Sequence, residues 1–444
     1  MSSEKWSIVR LDEACDVILG QSPPGKSYNA EAKGLPFFQG KAEFGDMYPK
    51  IVKWCTEPSK IAEKDDILIS VRAPVGPTNL CPERACIGRG LAALRPKDRI
   101  PPRYVLYAIR NNVRSLAEQA TGSTFDAISG SQLRAHAITL APINERQRIV
   151  DRIEKQFTRL DVGVASLKRV QTALKRYRAS VLKAAYEGRL VPTEAELAHK
   201  ENRSYETGEQ LLHRILKERR EKWYGKGKYK GAPLAEDDSL RALPEGWASA
   251  TLDALAEIKG GITKDQKRKH SAPSREVPYL RVANVQRGYL DLSEVKEIAA
   301  TEEEIDELKL VTGDVLFNEG GDRDKLGRGW VWDDELPECI HQNHIFRARL
   351  HSKVAPKFIS YYANSFGQRF FFAQGKHTTN LASISMTKLK QLPVPIPPAV
   401  EQERIVEEIE RRFSLIGELE TITSTDLQRG VRLRQSILQN AFEP

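Results

Sequence analysis

The chain has 444 residues, 40% hydrophobic and 29% charged, an ordinary globular composition with room for two or three domains. Its formal net charge of +9 admits a polyanionic partner without requiring one. No apolar run is long enough to span a membrane, and the first residues lack the h-region and cleavage site of a secretion signal, so a cytoplasmic protein with no membrane partner is expected.

Residues 1–144 read as a mixed α+β domain. Trp6 to Asp12 opens a region of short strands, and the apolar runs VILG, LPFFQG, DDILISV and CIGRGLAALRP follow, each bounded by Gly or Pro. The segment YVLYAIRNNVRSLAEQA predicts an amphipathic helix, followed by the polar loop TGSTFDAISGSQL. Residues 145–187 then predict a long helix. Its apolar stripe runs through Ile149, Ile153, Phe157, Leu160, Leu167 and Leu174, with steps of three and four beyond Phe157, interrupted at Gln171 and Arg178. At 1.5 Å per residue such a helix would be roughly 60 Å long, and a stripe of that length needs a partner.

Residues 188–246 contain a capping box, Thr207 with Gln210, ahead of a short apolar helix, and then the basic, glycine-rich stretch KERREKWYGKGKYKGAP. The whole segment reads as a linker. Residues 247–400 then repeat the first domain. Trp247, Leu252 and Asp253 match Trp6, Leu11 and Asp12; VPYLRVANV matches LPFFQGKAE; GDVLF matches DDILI; Cys339-Ile340 matches Cys86-Ile87; and HTTNLASISMTKL matches TGSTFDAISGSQL. Residues 401–444 repeat the long helix, with its stripe at Ile405, Ile409, Phe413, Ile416, Leu427 and Ile437. An internal repeat of this length decides the architecture before any single motif does. The fold class is α+β: two similar mixed domains separated by two long helices that pair as a coiled coil, with pseudo-two-fold symmetry if the helices run antiparallel.

Motifs for chemistry are sparse. Gly20-Gln-Ser-Pro-Pro-Gly25-Lys26-Ser27 fits the spacing of a phosphate-binding loop, which would make the chain a nucleotide hydrolase. That loop works by pointing backbone N–H groups at phosphate, and Pro23 and Pro24 have none to give. The same two prolines suggest an amino-methyltransferase motif, but Ser22 and Gly25 stand where an Asn or Asp and an aromatic residue are required. His341 and His344 have no companion ligands, and the five cysteines (Cys15, Cys55, Cys81, Cys86 and Cys339) form no CxxC pair. Neither set suggests a metal site. Gly320, Gly321, Gly327 and Gly329 surround Arg323, Lys325 and Arg328, which suits either close approach to phosphate or an ordinary solvated hairpin. With no triad, paired carboxylates or metal cluster, no catalysis and no bound cofactor are expected. A purely structural coiled-coil protein is a further reading, but it leaves the repeated globular domains unexplained.

Trp6 to Asp12, GQSPPGKSYN, the GST-x-x-x-IS loop, the P-x-x-ERQRIV start of the helix, AAYEGRLVPTEAELA and LPEGW, in this order and half of them repeated, resemble the specificity subunit of type I restriction-modification enzymes. The resemblance spans essentially the whole chain. It implies two target-recognition domains held apart by an antiparallel coiled coil, reading the two halves of a split double-stranded DNA site. It also implies partner chains: two methyltransferase subunits, which carry out adenine-N6 methylation with S-adenosylmethionine, and motor-nuclease subunits, which cleave DNA with ATP and magnesium.

The repeat adds an internal control. Residues common to both halves cannot tell one half-site from the other, so Ser123, Thr124, Ile128 and Ser129, with their partners Thr379, Asn380, Ile384 and Ser385, are expected to serve scaffold or phosphate contacts. Base readers are expected among polar residues that differ between the halves: Lys26, Gln39, Lys41 and Arg72 in the first, and Arg281, Asn284, Arg323, Lys325 and Arg328 in the second. The interrupted helix seams, with the short linker helix nearby, would offer methyltransferase helices a docking surface.

Overall fold

The computed structural model describes residues 5–97, 99–118, 127–222, 229, 231–232, 243–263, 273–321, 326–351, 353–377 and 382–443. Two compact units make up the chain: Met1–Val170 with Ile422–Pro444, and Gln171–Thr421. Each unit therefore takes one globular domain and a part of both long helices.

In the first unit an antiparallel sheet runs in the order Cys15–Leu19, Leu91–Pro96, Ile67–Ser70, Thr78–Leu80. Strand Leu35–Phe38 pairs in parallel with Ala85–Ile87, and Ser7–Arg10 pairs antiparallel with Ala137–Leu140. The amphipathic helix Pro102–Asn111 buries Tyr104 through Ile109 in the unit's core. The second unit repeats the plan. Its sheet runs Ala256–Gly260, Ile345–Leu350, Val315–Asn318, Gly329–Val331; Ser274–Leu280 pairs in parallel with Ile340–His341; and Ala248–Thr251 pairs with Pro393–Ile396.

The same buried ion pair recurs in both sheets. Asp66, 2% exposed, takes two hydrogen bonds from Arg95 at 3.0 and 2.9 Å and a third from the Glu63 amide at 2.8 Å. Asp314, 1% exposed, takes two from Arg349 at 2.9 and 2.8 Å and one from the Val311 amide at 2.9 Å. One point of register differs from the sequence match. Phe37 lies opposite Cys86, whereas its counterpart Tyr279 lies opposite Ile340, so Cys339 matches Ala85 and Ile87 matches His341. The repeated Cys-Ile dipeptide was misleading because ladder pairing, not residue identity, sets the register.

The long helices span Ile143–Tyr186 and Ala399–Ala441. They pair antiparallel in each unit. In the first, Ile153 lines a cleft with Ile437 and Ala441, and Gly430 sits against Val164 and Leu160. In the second, Val181 and Ala185 share a core with Ile405 and Ile409. Ile149, Ile153, Phe157, Leu174, Ile405, Ile409, Ile416 and Ile437 are all buried or nearly so, while Leu160, Leu167, Phe413 and Leu427 are half-buried. Burial along the second helix falls at Ile416, Thr423, Gly430 and Ile437, a strict heptad in which two small residues admit close approach.

The interruption at Arg178 is a contact within the chain. Its guanidinium lies 4.6 Å from the centroid of the Phe413 ring and donates to Glu420 at 3.1 Å. Arg434 does the same in the first unit, 4.4 Å over Phe157 and paired with Asp161. Each Phe also meets a Tyr edge-on: Phe157 with Tyr107 at 5.7 Å and Phe413 with Tyr361 at 5.6 Å. The adjacent ion pairs correspond too, Arg103 with Glu154 and Lys357 with Glu410.

Residues read as a linker are in large part packed structure. Helices Glu194–Glu201 and Gly208–Glu221 belong to the second unit, with Leu211 and Ile215 fully buried, and the expected Thr207–Gln210 capping box is present. Buried Glu194 pairs with Arg203 and Arg404, and its amide donates to buried Glu401, which also accepts from the Trp247 indole at 2.9 Å.

Candidate nucleic-acid interface

Five chain segments meet at one edge of the first unit, held together by backbone hydrogen bonds. The turn after strand Ala85–Ile87 is the hub. Gly88 N–H donates to Phe38 at the end of its strand (2.8 Å); Gln21 N–H donates to Ile87 (3.1 Å); Val71 N–H donates to Gly90 (3.0 Å); and Ile128 N–H donates to Val71 (3.0 Å). Arg72 forms an isolated bridge with Ala127. Packing at the hub is tight enough to require glycine. A Cβ on Gly20 would lie 2.2 Å from the Gly88 carbonyl oxygen, and one on Gly90 would lie 2.4 Å from that of Gln39.

The second unit builds the same lattice from different side chains. Gln342 N–H donates to Leu280 (2.9 Å), Ile262 N–H to His341 (2.8 Å), Glu319 N–H to His344 (2.9 Å) and Ile384 N–H to Glu319 (2.8 Å). Gly320 and Gly321 pair with Ser383 and Ala382. The repeated loops thus dock in both units on the segment following the central strand. Ser129 and Ser385 cap the short helices that follow, accepting from the amides of Gln132 (3.2 Å) and Lys388 (3.3 Å), while Ile128 and Ile384 are buried. In both units the serine closes a helix cap and the isoleucine fills the core, which are scaffold contacts.

Of the anticipated readers in the first unit, Gln39 and Arg72 stand at the hub, and Lys26 and Lys41 stand farther along segments that leave it. All four are exposed, and the side chains of Lys26, Lys41 and Arg72 have no hydrogen-bond or ion-pair partner among the described residues. The second unit departs from expectation. Asn284 is 2% exposed, and its amide is spent on its own loop, accepting from the Arg281 N–H and donating to the Asp291 and Glu294 carbonyls. It is a loop staple and not an available base reader. Arg281 is half-buried and donates to the Glu294 side chain, and Arg328 donates to the Val282 carbonyl at 3.1 Å. Ser123, Thr124, Arg323, Lys325, Thr379 and Asn380 lie outside the described residues. Sequence reading missed the hub turns themselves, Gly88–Gly90 and Gln342–His344. The repeated Cys-Ile dipeptide sets Arg89 against Gln342, and only the ladder register sets it against Asn343.

The chemistry of the alternatives does not assemble. Gly25–Ser27 is a single three-residue turn followed by a strand, and the Ser27 hydroxyl donates to the Pro24 carbonyl at 2.6 Å, so this segment is not built as a phosphate cradle. His341 is buried with Nδ1 3.0 Å from the Ile345 carbonyl oxygen, and burial pushes its pKa down to about 4. His344 pairs with Glu319. Burial raises the Cys15, Cys81 and Cys339 thiols to about 12, the wrong direction for a nucleophile. Among the described residues no His, Cys, Asp and Glu cluster could hold a metal, and no helix is long and apolar enough to cross a membrane.

The sequence model of the type I restriction modification DNA specificity domain matches this chain twice, over residues 3–163 and 244–426. The chain belongs to that family. It is similar to the type I restriction enzyme EcoBI specificity subunit of Escherichia coli, with 19% identity across 99% of this chain and 86% of the relative. The MjaX specificity subunit of Methanocaldococcus jannaschii is 37% identical over 176 residues, 39% of this chain; the match spans about two fifths (41%) of that relative. Among solved structures, the HsdS subunit from Thermoanaerobacter tengcongensis is 45% identical over 38% of this chain and 41% of its own, with a TM-score of 0.33. As a member of the specificity family the chain carries two copies of a DNA specificity domain, one matched copy lying mainly in each unit.

Proposed function

We propose that this chain reads a two-part double-stranded DNA site, one half per unit, and directs methyltransferase and motor-nuclease partners to it without catalysing a step itself. The observation that carries the reading is the pair of matching backbone lattices whose displayed side chains differ. A common frame with different polar groups is what two unlike half-sites need. Lys26, Lys41 and Arg72, cations without counterions among the described residues of that frame, supply the attraction to phosphate. In this reading Arg72 and Gln39 face bases, with Arg suited to guanine and Gln to adenine. Lys26 and Lys41 neutralise phosphates, and Arg323 and Lys325 act in the second half-site. Ser123, Thr124, Thr379 and Asn380 meet phosphate. S-adenosylmethionine, ATP and magnesium belong to the partner subunits.

The test is titration of the purified chain with double-stranded DNA over a salt series. Binding should weaken steeply with salt, and K26A/K41A should flatten the slope of log K against log salt by roughly 0.9 for each phosphate that is no longer neutralised. An absence of DNA binding at low salt would contradict the proposal and favour a purely structural role.

A further inference from the structure

The hub turns display different side chains in the two units from equivalent backbone. In the first unit the turn is Gly88-Arg89-Gly90; in the second it is Gln342-Asn343-His344. The equivalence is fixed by hydrogen bonds. Leu91 N–H donates back to Gly88 at 3.0 Å as Ile345 N–H donates back to Gln342 at 2.9 Å, and each turn receives the same bonds from the neighbouring segments. Arg89 and Asn343 therefore occupy one position in two copies.

Arg89 is exposed and makes no hydrogen bond or ion pair among the described residues. Its neighbours hold it firmly. Gly88 and Gly90 both pack on Gln39, so the backbone that carries Arg89 has little freedom to move. Asn343 is half-buried, its amide N–H donates to Ile262 at 2.9 Å, and its side-chain amide has no partner among the described residues. His344 differs in that its ring is taken up by Glu319 at 2.6 Å. In each turn the central residue is thus left with unspent hydrogen-bonding capacity on a braced backbone. A fixed backbone matters because discrimination between bases depends on holding the donor–acceptor pattern in place.

We propose that Arg89 and Asn343 are specificity-determining residues that each read one base, Arg89 in the half-site of the first unit and Asn343 in that of the second. The assignment rests on the DNA-reading function proposed above. The two parallel N–H donors of Arg89 match the O6 and N7 acceptors of guanine, and the donor and acceptor of the Asn343 amide match N7 and N6 of adenine. A difference at one equivalent position gives the two units different preferences without altering the frame.

The experiment compares the full-length chain with R89A and N343A, each co-expressed with its methyltransferase partner, by base-resolution mapping of genomic methylation. Wild type should give a two-part motif. R89A should lose roughly 5- to 150-fold discrimination at one guanine position in one half, with the other half unchanged; N343A should do the same at one adenine in the opposite half. The retained half shows that each variant is folded and assembled. An unchanged motif in both variants, against a clear wild-type motif, would overturn the assignment while leaving the DNA-reading function intact. Uniform weakening with no change in base preference would also overturn it, since that marks a residue that meets phosphate. Absence of any motif in wild type would defeat the underlying function and this assignment together.

Discussion

The stacking of Arg434 on Phe157 offers a quantitative test of how the long helices are joined. Phe157 is 6% exposed, so F157A would lose a core ring at about 3–5 kcal/mol and obscure the smaller effect. F157L keeps most of the volume and should cost below about 1.5 kcal/mol. R434A removes both the stacking and the ion pair with Asp161. The guanidinium sits 4.4 Å from the ring centroid with its side chain 43% exposed, which places the cation–π contribution at about 0.5–1 kcal/mol. The Asp161 pair, open to solvent, adds no more than about 1 kcal/mol. A double-mutant cycle of F157L and R434A, measured by urea unfolding with both units' transitions fitted, should give a coupling of about 0.5–1 kcal/mol. The same cycle on F413L and R178A should return a similar figure, because Arg178 lies 4.6 Å over Phe413 with its side chain 39% exposed. Coupling indistinguishable from zero in both cycles would refute the argument that these arginines join the helices rather than merely interrupting a seam.

Other expectations concern each unit by itself. D314A should cost about 3 kcal/mol, the low end for breaking a buried pair because Arg349 is 35% exposed and partly rehydrates, and D66A should cost about the same; denaturant melts check both. His341 is held neutral in the fold with a pKa near 4 against 6.5 when exposed, so the unfolded chain binds the extra proton between those values. Stability of the second unit should accordingly fall as pH drops from about 6.5 to 4, by on the order of 3 kcal/mol, and H341L should flatten that limb of the pH profile. R72A should relax one half of the recognised motif and spare the other, read by binding competition among oligonucleotides varied at single positions; loss of selectivity in both halves would contradict it.

The repeat, the two long helices and their apolar stripes were legible because periodicity and self-similarity survive in a single sequence. What stayed hidden depends on the third dimension. Asn284 looked like a polar residue free to read a base, yet it satisfies the backbone of a tight loop, a role visible only once the loop closes on itself. Arg178 looked like a break in a coiled-coil seam because its partner ring, Phe413, is remote in sequence. Gly430 and Thr423 are too small to register as apolar positions, although both are buried in the seam. Arg89 sits inside an apolar run, and only the convergence of hydrogen bonds on Gly88 and Gly90 marks its position.

A chain that confers a two-part DNA specificity on a methyltransferase leaves that specificity written in the methylation of the cell's DNA. The most direct test is a base-resolution methylation map of cells expressing the partner methyltransferase with and without this chain. A motif in two defined parts separated by a fixed run of unspecified bases should appear, and only when this chain is present. No such motif, from a methyltransferase shown to be active with another specificity subunit, would contradict that specificity.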